Sequence, residues 1–409
     1  MRKAYALLTA ALLALLPALL PAQSFYVCEG PQTTTTRQLD FTDGSLSTSA
    51  PDSITLAIPQ GQRFVGGDLS LLPTYEEHGA RYYDRQGQPV TDLLAFLQEQ
   101  GWNAVRLRLF VDPSQASATD RGQGVRQSLD YVVPLARRIK EAGMLLMLDF
   151  HYSDSWADPS KQWTPASWQG FADEQLASKV YDYTRECLHR LNAEGASPDF
   201  IQTGNEISYG MLWGPEGTTL NRCYQGSTDG WQRFGLLLRQ AVRACREECP
   251  RASIVIHTER AQQPSVLKHF YQQMEQLGVD YDIIGLSYYP YYHGTLTTLS
   301  TTLAMLERDF AGRQVMIVET GCAYHYRVGD DDTGYPLTYE GQRQFTADLV
   351  GTLRRHTAVS GLFWWFPEAN EYGLDWNTQR VTDNWYNAGL FDNETGRALP
   401  ALYELSAFK

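Results

Sequence analysis

The chain has 409 residues, of which 43% are apolar and 20% charged, and a formal net charge of −13 at neutral pH. That length can bury a large core and suits one big domain or two ordinary ones. The acidic balance excludes nucleic acid and anionic membrane surface as main partners, because both are held by basic patches.

Arg2 and Lys3 precede an apolar run from Ala4 to Leu20, which ends in Leu20-Pro21-Ala22-Gln23. A basic start, an apolar stretch and a small-residue cleavage site make residues 1–22 an expected signal peptide, and the protein an exported one, periplasmic, surface-held or extracellular. Pro17 and Pro21, with no basic stop after the run, argue against a transmembrane anchor. Val27 before Cys28 is not the small residue of a lipid-attachment signal. Residues 23–62 form an expected spacer or extension. From Glu29 onward it is rich in Thr, Ser, Asp and Pro, with at most one strand, Ser53–Ile58.

From residue 63 to 409 the pattern changes. Apolar, β-rich runs fall at Phe64–Leu69, Ala104–Phe110, Met144–Phe150, Phe200–Thr203, Ser253–His257, Ile283–Ser287, Val315–Glu319 and Gly361–Trp365. Amphipathic helical stretches lie between them, clearest at Leu129–Ala142, Glu174–Asn192, Trp231–Glu248, Leu296–Phe310 and Glu340–Arg355. Eight strands alternating with helices predict an α/β fold, a (β/α)₈ TIM barrel. An open doubly wound sheet is the alternative, but no Gly-rich turn follows the first strand to cradle a dinucleotide.

Active sites of such barrels lie at the strand C-termini, and Glu206 and Glu319 end strands four and seven. Two carboxylates converging on one cleft are the minimum equipment for cleaving a glycosidic bond. Arg106 and Arg108 alternate with Val105, Leu107 and Leu109, so both guanidinium groups share one face of strand two. Facing outward among helices they would be costly, so the interior near the carboxylates is expected. The 24 Tyr, 10 Trp and 16 Phe suit stacking on sugar rings as well as core filling. Six cysteines could pair in an oxidising compartment, with connectivity undetermined. Cys245 and Cys249 read as two thiols on or beside a helix end, since no further Cys/His cluster stands near them.

At these residues the chain resembles glycoside hydrolase family 53, the endo-β-1,4-galactanases that cut galactan side chains of pectin. The blocks that carry the resemblance are Gly66-Gly67-Asp68-Leu69-Ser70, Tyr82-Tyr83-Asp84, and the run from Asn103 through Arg106 and Arg108 to Asp112-Pro113. The most specific block runs from Asp149 through His151, Asp154, Trp156 and Asp158-Pro159 to Lys161-Gln162-Trp163. Gly204-Asn205-Glu206-Ile207, Ile284 to Gly294, and Val318-Glu319-Thr320-Gly321 follow in order. The resemblance implies a retaining mechanism, with Glu206 as acid/base, Glu319 as nucleophile, and their carboxyl groups roughly 5–5.5 Å apart. It implies that Arg106 holds the nucleophile, Asn205 meets the sugar 2-OH, Tyr289 donates to Glu319, and Trp365 floors the −1 subsite. His151 would line the same pocket. Asp154, Trp156, Asp158, Trp163 and Trp376 would supply outer subsites from the βα-loops, although Trp156 and Trp163 suit a loop core equally.

Two stretches depart from the family pattern. Gly321-Cys322-Ala323-Tyr324 replaces an aromatic and a proline after Thr320, and Phe366 stands where a glutamate is usual. Bacterial members of the family can carry calcium near the seventh and eighth loops. Asp330-Asp331-Asp332 could supply oxygens but lacks the spaced ligands of a calcium loop, so no metal and no required cofactor are expected. The expected partner is a polysaccharide, β-1,4-galactan; the oligomeric state is open. The rival readings are another retaining barrel glycosidase, such as a β-mannanase or cellulase, and a non-catalytic glycan-binding barrel.

Overall fold

The computed structural model describes residues 61–218, 221–223, 228–326 and 333–409, and the strands 24–28 and 34–38 as backbone; residues 228 and 229 are also described as backbone alone. The chain divides into two units, Met1–Leu56 and Ala57–Lys409. In the first, Ser24–Cys28 pairs antiparallel with Thr34–Gln38. Phe25, Tyr26 and Val27 pair with a Thr-rich strand, residue types that suit a pleated ribbon. Ser53–Ile58 and residues 1–22 lie outside the described residues.

The second unit is a closed eight-stranded parallel barrel, the predicted (β/α)₈ architecture. Its strands are β1 Phe64–Asp68, β2 Ala104–Leu109, β3 Leu145–Phe150, β4 Phe200–Thr203, β5 Ser253–Thr258, β6 Ile283–Tyr288, β7 Gln314–Thr320 and β8 Val359–Trp365, which pairs back onto β1. The five anticipated helices are present within a few residues. Leu72–His78, Leu93–Glu99 and Pro264–Gln276 are additional. The first two span seven residues each, too short for a 3.6-residue pattern to stand out.

The strands explain where the chemistry sits. Alternate residues face the barrel interior. Low in the barrel those positions are Phe64, Ala104, Met147, Phe200, Val255 and Ile283, with Met316, Val318 and Phe363, packed as one apolar cluster. Toward the C-terminal ends of the strands, in steps of two, come Asp68, Arg106, Asp149, Gln202, His257 and Ser287, all buried and all polar. The intervening positions, such as Val65, Leu107, Leu148, Ile201, Ile256 and Leu362, face the helices in the larger core. An apolar plug therefore supports a polar floor.

Glu319 breaks the alternation. Met316 and Val318 point inward, so strict parity would send Glu319 out. Between β6 and β7 the register slips, Leu286 pairing Ile317 and Ser287 pairing Glu319, which leaves Val318 unmatched. This bulge turns Glu319 back into the barrel mouth, a use of bulges common beside active sites.

Candidate active site

A cleft of about 630 Å³ opens at the C-terminal ends of the strands, and Glu206 and Glu319 both line it. Glu319 is 7% exposed. Its Oε1 lies 2.8 Å from Arg106 Nη2, and its Oε2 accepts a hydrogen bond from Tyr289 Oη at 3.1 Å. Arg106 is fully buried and also pairs with Asp68 at 3.0 Å and Asp149 at 2.8 Å. Arg108 Nη1 closes on the second oxygen of Asp68 at 2.7 Å, and its guanidinium lies 4.8 Å from the ring centre of Trp156. Two arginines thus stand inside the barrel because three carboxylates compensate them; unpaired, either would be prohibitive there.

Glu206 sits in different surroundings. It follows β4 in a tight turn with φ +49°, a conformation that side chains other than glycine rarely adopt. Gly204, at φ +98°, makes the turn possible, since a Cβ there would meet Ile207 Cγ2 at 2.7 Å. Gln162 Nε2 holds the turn by donating to the carbonyl of Asn205 at 2.7 Å. The Glu206 side chain is half-buried, and its Oε1 accepts from Ser287 Oγ at 2.6 Å. Among the described residues, no cation contacts it.

The titration behaviour follows. Burial, with the charges of Glu319 and Glu259 adding to it, raises Glu206 well above the usual glutamate range. Burial also raises Glu319, but Arg106 opposes it, so Glu319 gives up its proton before Glu206 does. Burial and the charge of Arg106 hold His257 well below the usual histidine range, leaving its imidazole uncharged.

The remaining sequence candidates divide clearly. Asn205, His151, Trp156, Tyr289 and Trp365 line the cleft with Arg106. Asn205 Oδ1 accepts from Arg106 Nη2 at 2.9 Å, while its Nδ2 donates to the Ala157 carbonyl at 2.8 Å. His151 Nδ1 accepts the Ala157 N–H, which leaves Nε2 to carry the ring proton toward Asp149 at 3.1 Å. Trp365 stacks edge-on to Trp385 at 5.2 Å. Asp154 is placed elsewhere. Its two oxygens accept the backbone N–H groups of Asp112 at 3.0 Å and Ala166 at 2.7 Å, so the carboxylate pins two loops together and does not line the cleft. Trp163 and Trp376 do not line it either. Asp330-Asp331-Asp332 lies outside the described residues, and among the described residues no group of three or more His, Cys, Asp or Glu is placed to hold a metal.

With this geometry, comparison with known proteins is decisive. The family model for glycosyl hydrolase family 53 matches residues 64–405. The chain belongs to that family. It is 35% identical to an uncharacterized Niallia circulans protein from the bgaB 5′ region over 84% of this chain and 93% of that one. It is 31% identical to a probable arabinogalactan endo-β-1,4-galactanase A of Neosartorya fischeri, covering 77% and 90% of the two chains. The solved family 53 catalytic domain of Ignisphaera aggregans superposes with a TM-score of 0.74 at 30% identity, covering 86% of this chain and 97% of that one.

Several residues of this family 53 site escaped the sequence reading. Gln202, His257 and Glu259 were given no role, although Gln202 and His257 occupy inward positions that strand parity would have flagged. Glu259 lines the cleft with its Oε1 held by Ser208 at 2.6 Å and Arg260 at 2.8 Å. Trp385 lines the cleft from the loop after β8, at φ +67°. Phe366, also left-handed at φ +62°, forms part of the cleft wall. The nearby carboxyl of Glu368 is buried and accepts the Leu71 N–H at 2.8 Å. The five described cysteines are buried free thiols, and Cys249 Sγ faces Asn192 and Ser197 beside its helix end.

Proposed function

We propose that this chain is an exported, retaining endo-hydrolase of β-1,4-galactosidic bonds in the galactan side chains of pectin, with Glu206 as acid/base and Glu319 as nucleophile. The observation that carries the assignment of roles is the unequal setting of the two carboxyls. Glu319 has Arg106 against one oxygen and Tyr289 against the other, while Glu206 has the Ser287 hydroxyl and no cation.

In the first step Glu319 attacks the anomeric carbon while Glu206 gives its proton to the departing glycosidic oxygen, leaving a glycosyl ester on Glu319. Glu206, now ionised, then takes a proton from water; the water oxygen adds to the same carbon and frees Glu319. Arg106 steadies Glu319 before attack and again as it leaves. Asn205 carries a second amide hydrogen beyond the one given to Ala157, available to a sugar hydroxyl in the cleft. Trp365, Trp385 and Trp156 offer ring faces to a chain that is polar at its edges and apolar on its faces. The names of the fungal relatives support galactan as substrate, and the Arg2-Lys3 start with its apolar run supports export.

The test is product analysis over time on linear galactan, with mannan and cellulose alongside and the anomer of the first product read by NMR. A spread of early oligosaccharides of retained configuration is expected from galactan alone. Cleavage of mannan without cleavage of galactan would overturn the substrate; an inverted first product would overturn the mechanism.

A further inference from the structure

We infer that His257 and Ser287 form a directional hydrogen-bond brace that decides which oxygen of Glu206 carries the acid proton, which makes both of them positioning residues for the reaction. The inference rests on Glu206 being the acid/base. His257 on β5 and Ser287 on β6 are both fully buried. Two N–H donors converge on His257 Nδ1, the backbone N–H of Glu206 at 3.3 Å and the side-chain amide of Gln202 at 3.0 Å. The nearby Asn205 Oδ1, 3.1 Å away, already accepts from Arg106. An imidazole nitrogen facing a backbone N–H must be the acceptor, so the ring proton resides on Nε2.

That Nε2 faces Ser287 Oγ at 2.8 Å. A serine hydroxyl has one proton to give. Receiving from His257, Ser287 directs its own proton to Glu206 Oε1 at 2.6 Å. An oxygen that accepts so short a bond is the carbonyl-like oxygen of the protonated carboxyl, so the acid proton is left to Oε2, the oxygen free to meet a glycosidic oxygen. The same histidine also accepts the Ile207 N–H on its backbone carbonyl at 3.0 Å, so one residue fixes both the left-handed turn and the carboxyl it presents. Reversing the chain would set two donors against each other at Nδ1.

A brace of this kind matters only when the leaving group needs a proton. Two substrates separate the cases: linear galactan, whose leaving sugar must be protonated, and a 2,4-dinitrophenyl β-galactobioside, whose leaving group departs unaided. Ser287→Ala is expected to lower kcat on galactan by about 10- to 100-fold, a part of the roughly 10²–10⁴-fold a general acid contributes, while the first-turnover burst of dinitrophenolate stays within about twofold of wild type. His257→Asn keeps an acceptor for the Glu206 N–H and removes the Nε2 proton. It carries the same expectation, and serves should the serine variant not fold. Equal losses on both substrates, or no loss on galactan, would overturn the brace. Glu206→Ala is the control for the underlying reading: were it to slow both substrates equally, the acid assignment itself would fail. A selective loss there, with equal losses in Ser287→Ala, would sink the brace alone.

Discussion

Around Arg106 and Arg108, where β1–β3 meet β7, charge is balanced by charge. Arg106 and Arg108 interleave with Asp68, Asp149 and Glu319 at 2.7–3.0 Å. On the β4–β6 side the partners of Glu206 are neutral, a serine hydroxyl and an uncharged imidazole. The difference shows how one barrel floor makes two identical side chains behave differently. A carboxyl beside a guanidinium loses little by ionising, whereas one buried without a cation and close to other carboxylates keeps its proton. On the proposed roles, the surroundings of the two glutamates, not the glutamates themselves, decide which is acid and which is nucleophile.

The comparison can be broken first at its charged end. Glu319→Gln keeps shape and removes the nucleophilic charge, so turnover of galactan should fall below detection while binding to the polymer persists. Activity near wild type would remove Glu319 from its role. At the neutral end, Glu206→Ala should cost about 10²–10⁴-fold on galactan and far less on an activated aryl glycoside. On the proposed roles the working form holds Glu206 protonated and Glu319 ionised, so kcat/KM should fall as pH rises through the raised pKa of Glu206 and as pH falls through that of Glu319. Replacing Arg106 by Met should move the acidic limb to higher pH, since the opposing cation is gone. It should also destabilise the fold by about 3–5 kcal/mol, the cost of leaving buried carboxylates uncompensated.

A smaller effect tests the edge of the charged region. Burial, with the charge of Asp68 adding, pushes Glu368 up to about 8 from the ordinary 4.5 of a glutamate. A carboxyl whose folded pKa is raised stabilises the fold fully below its unfolded pKa, and that contribution is lost as pH rises toward the folded value. Wild-type Tm should therefore decline across that interval more than the Tm of Glu368→Gln, which stays neutral and still accepts the Leu71 N–H. Parallel Tm curves for the two proteins would show that Glu368 is ionised in the fold throughout.

Much of this arrangement was legible beforehand. Near-continuous apolar runs identified all eight strands, because strands buried on both faces carry little else. Glu206 and Glu319 stood out as carboxylates at strand ends, and Arg106 with Arg108 as cations that alternate with leucines. What stayed hidden has physical reasons. Because Val318 points inward, strict alternation would send Glu319 outward; only the register slip against β6 brings it in, and no residue type marks a slip of that kind. Phe366 and Trp385 adopt left-handed backbone that bulky side chains rarely take, so nothing local announced the loops they shape. His257 and Gln202 were visible as polar interruptions in apolar runs, and needed only the two-residue period to be placed beside Asp149.

Asp154 marks where resemblance outran geometry, and it supplies the gentlest test. A carboxylate between His151 and Trp156 looks like a sugar ligand from sequence alone. In the fold its oxygens accept two backbone N–H groups, from Asp112 and Ala166. Asp154→Ala would leave both donors without their partner, at about 1–3 kcal/mol for each one that stays out of water. The expected result is a lowered Tm with kcat on galactan near wild type and KM changed by no more than about twofold, because the carboxylate does not line the cleft. A KM raised tenfold or more with Tm unchanged would mean that the loop yields its carboxylate to the sugar.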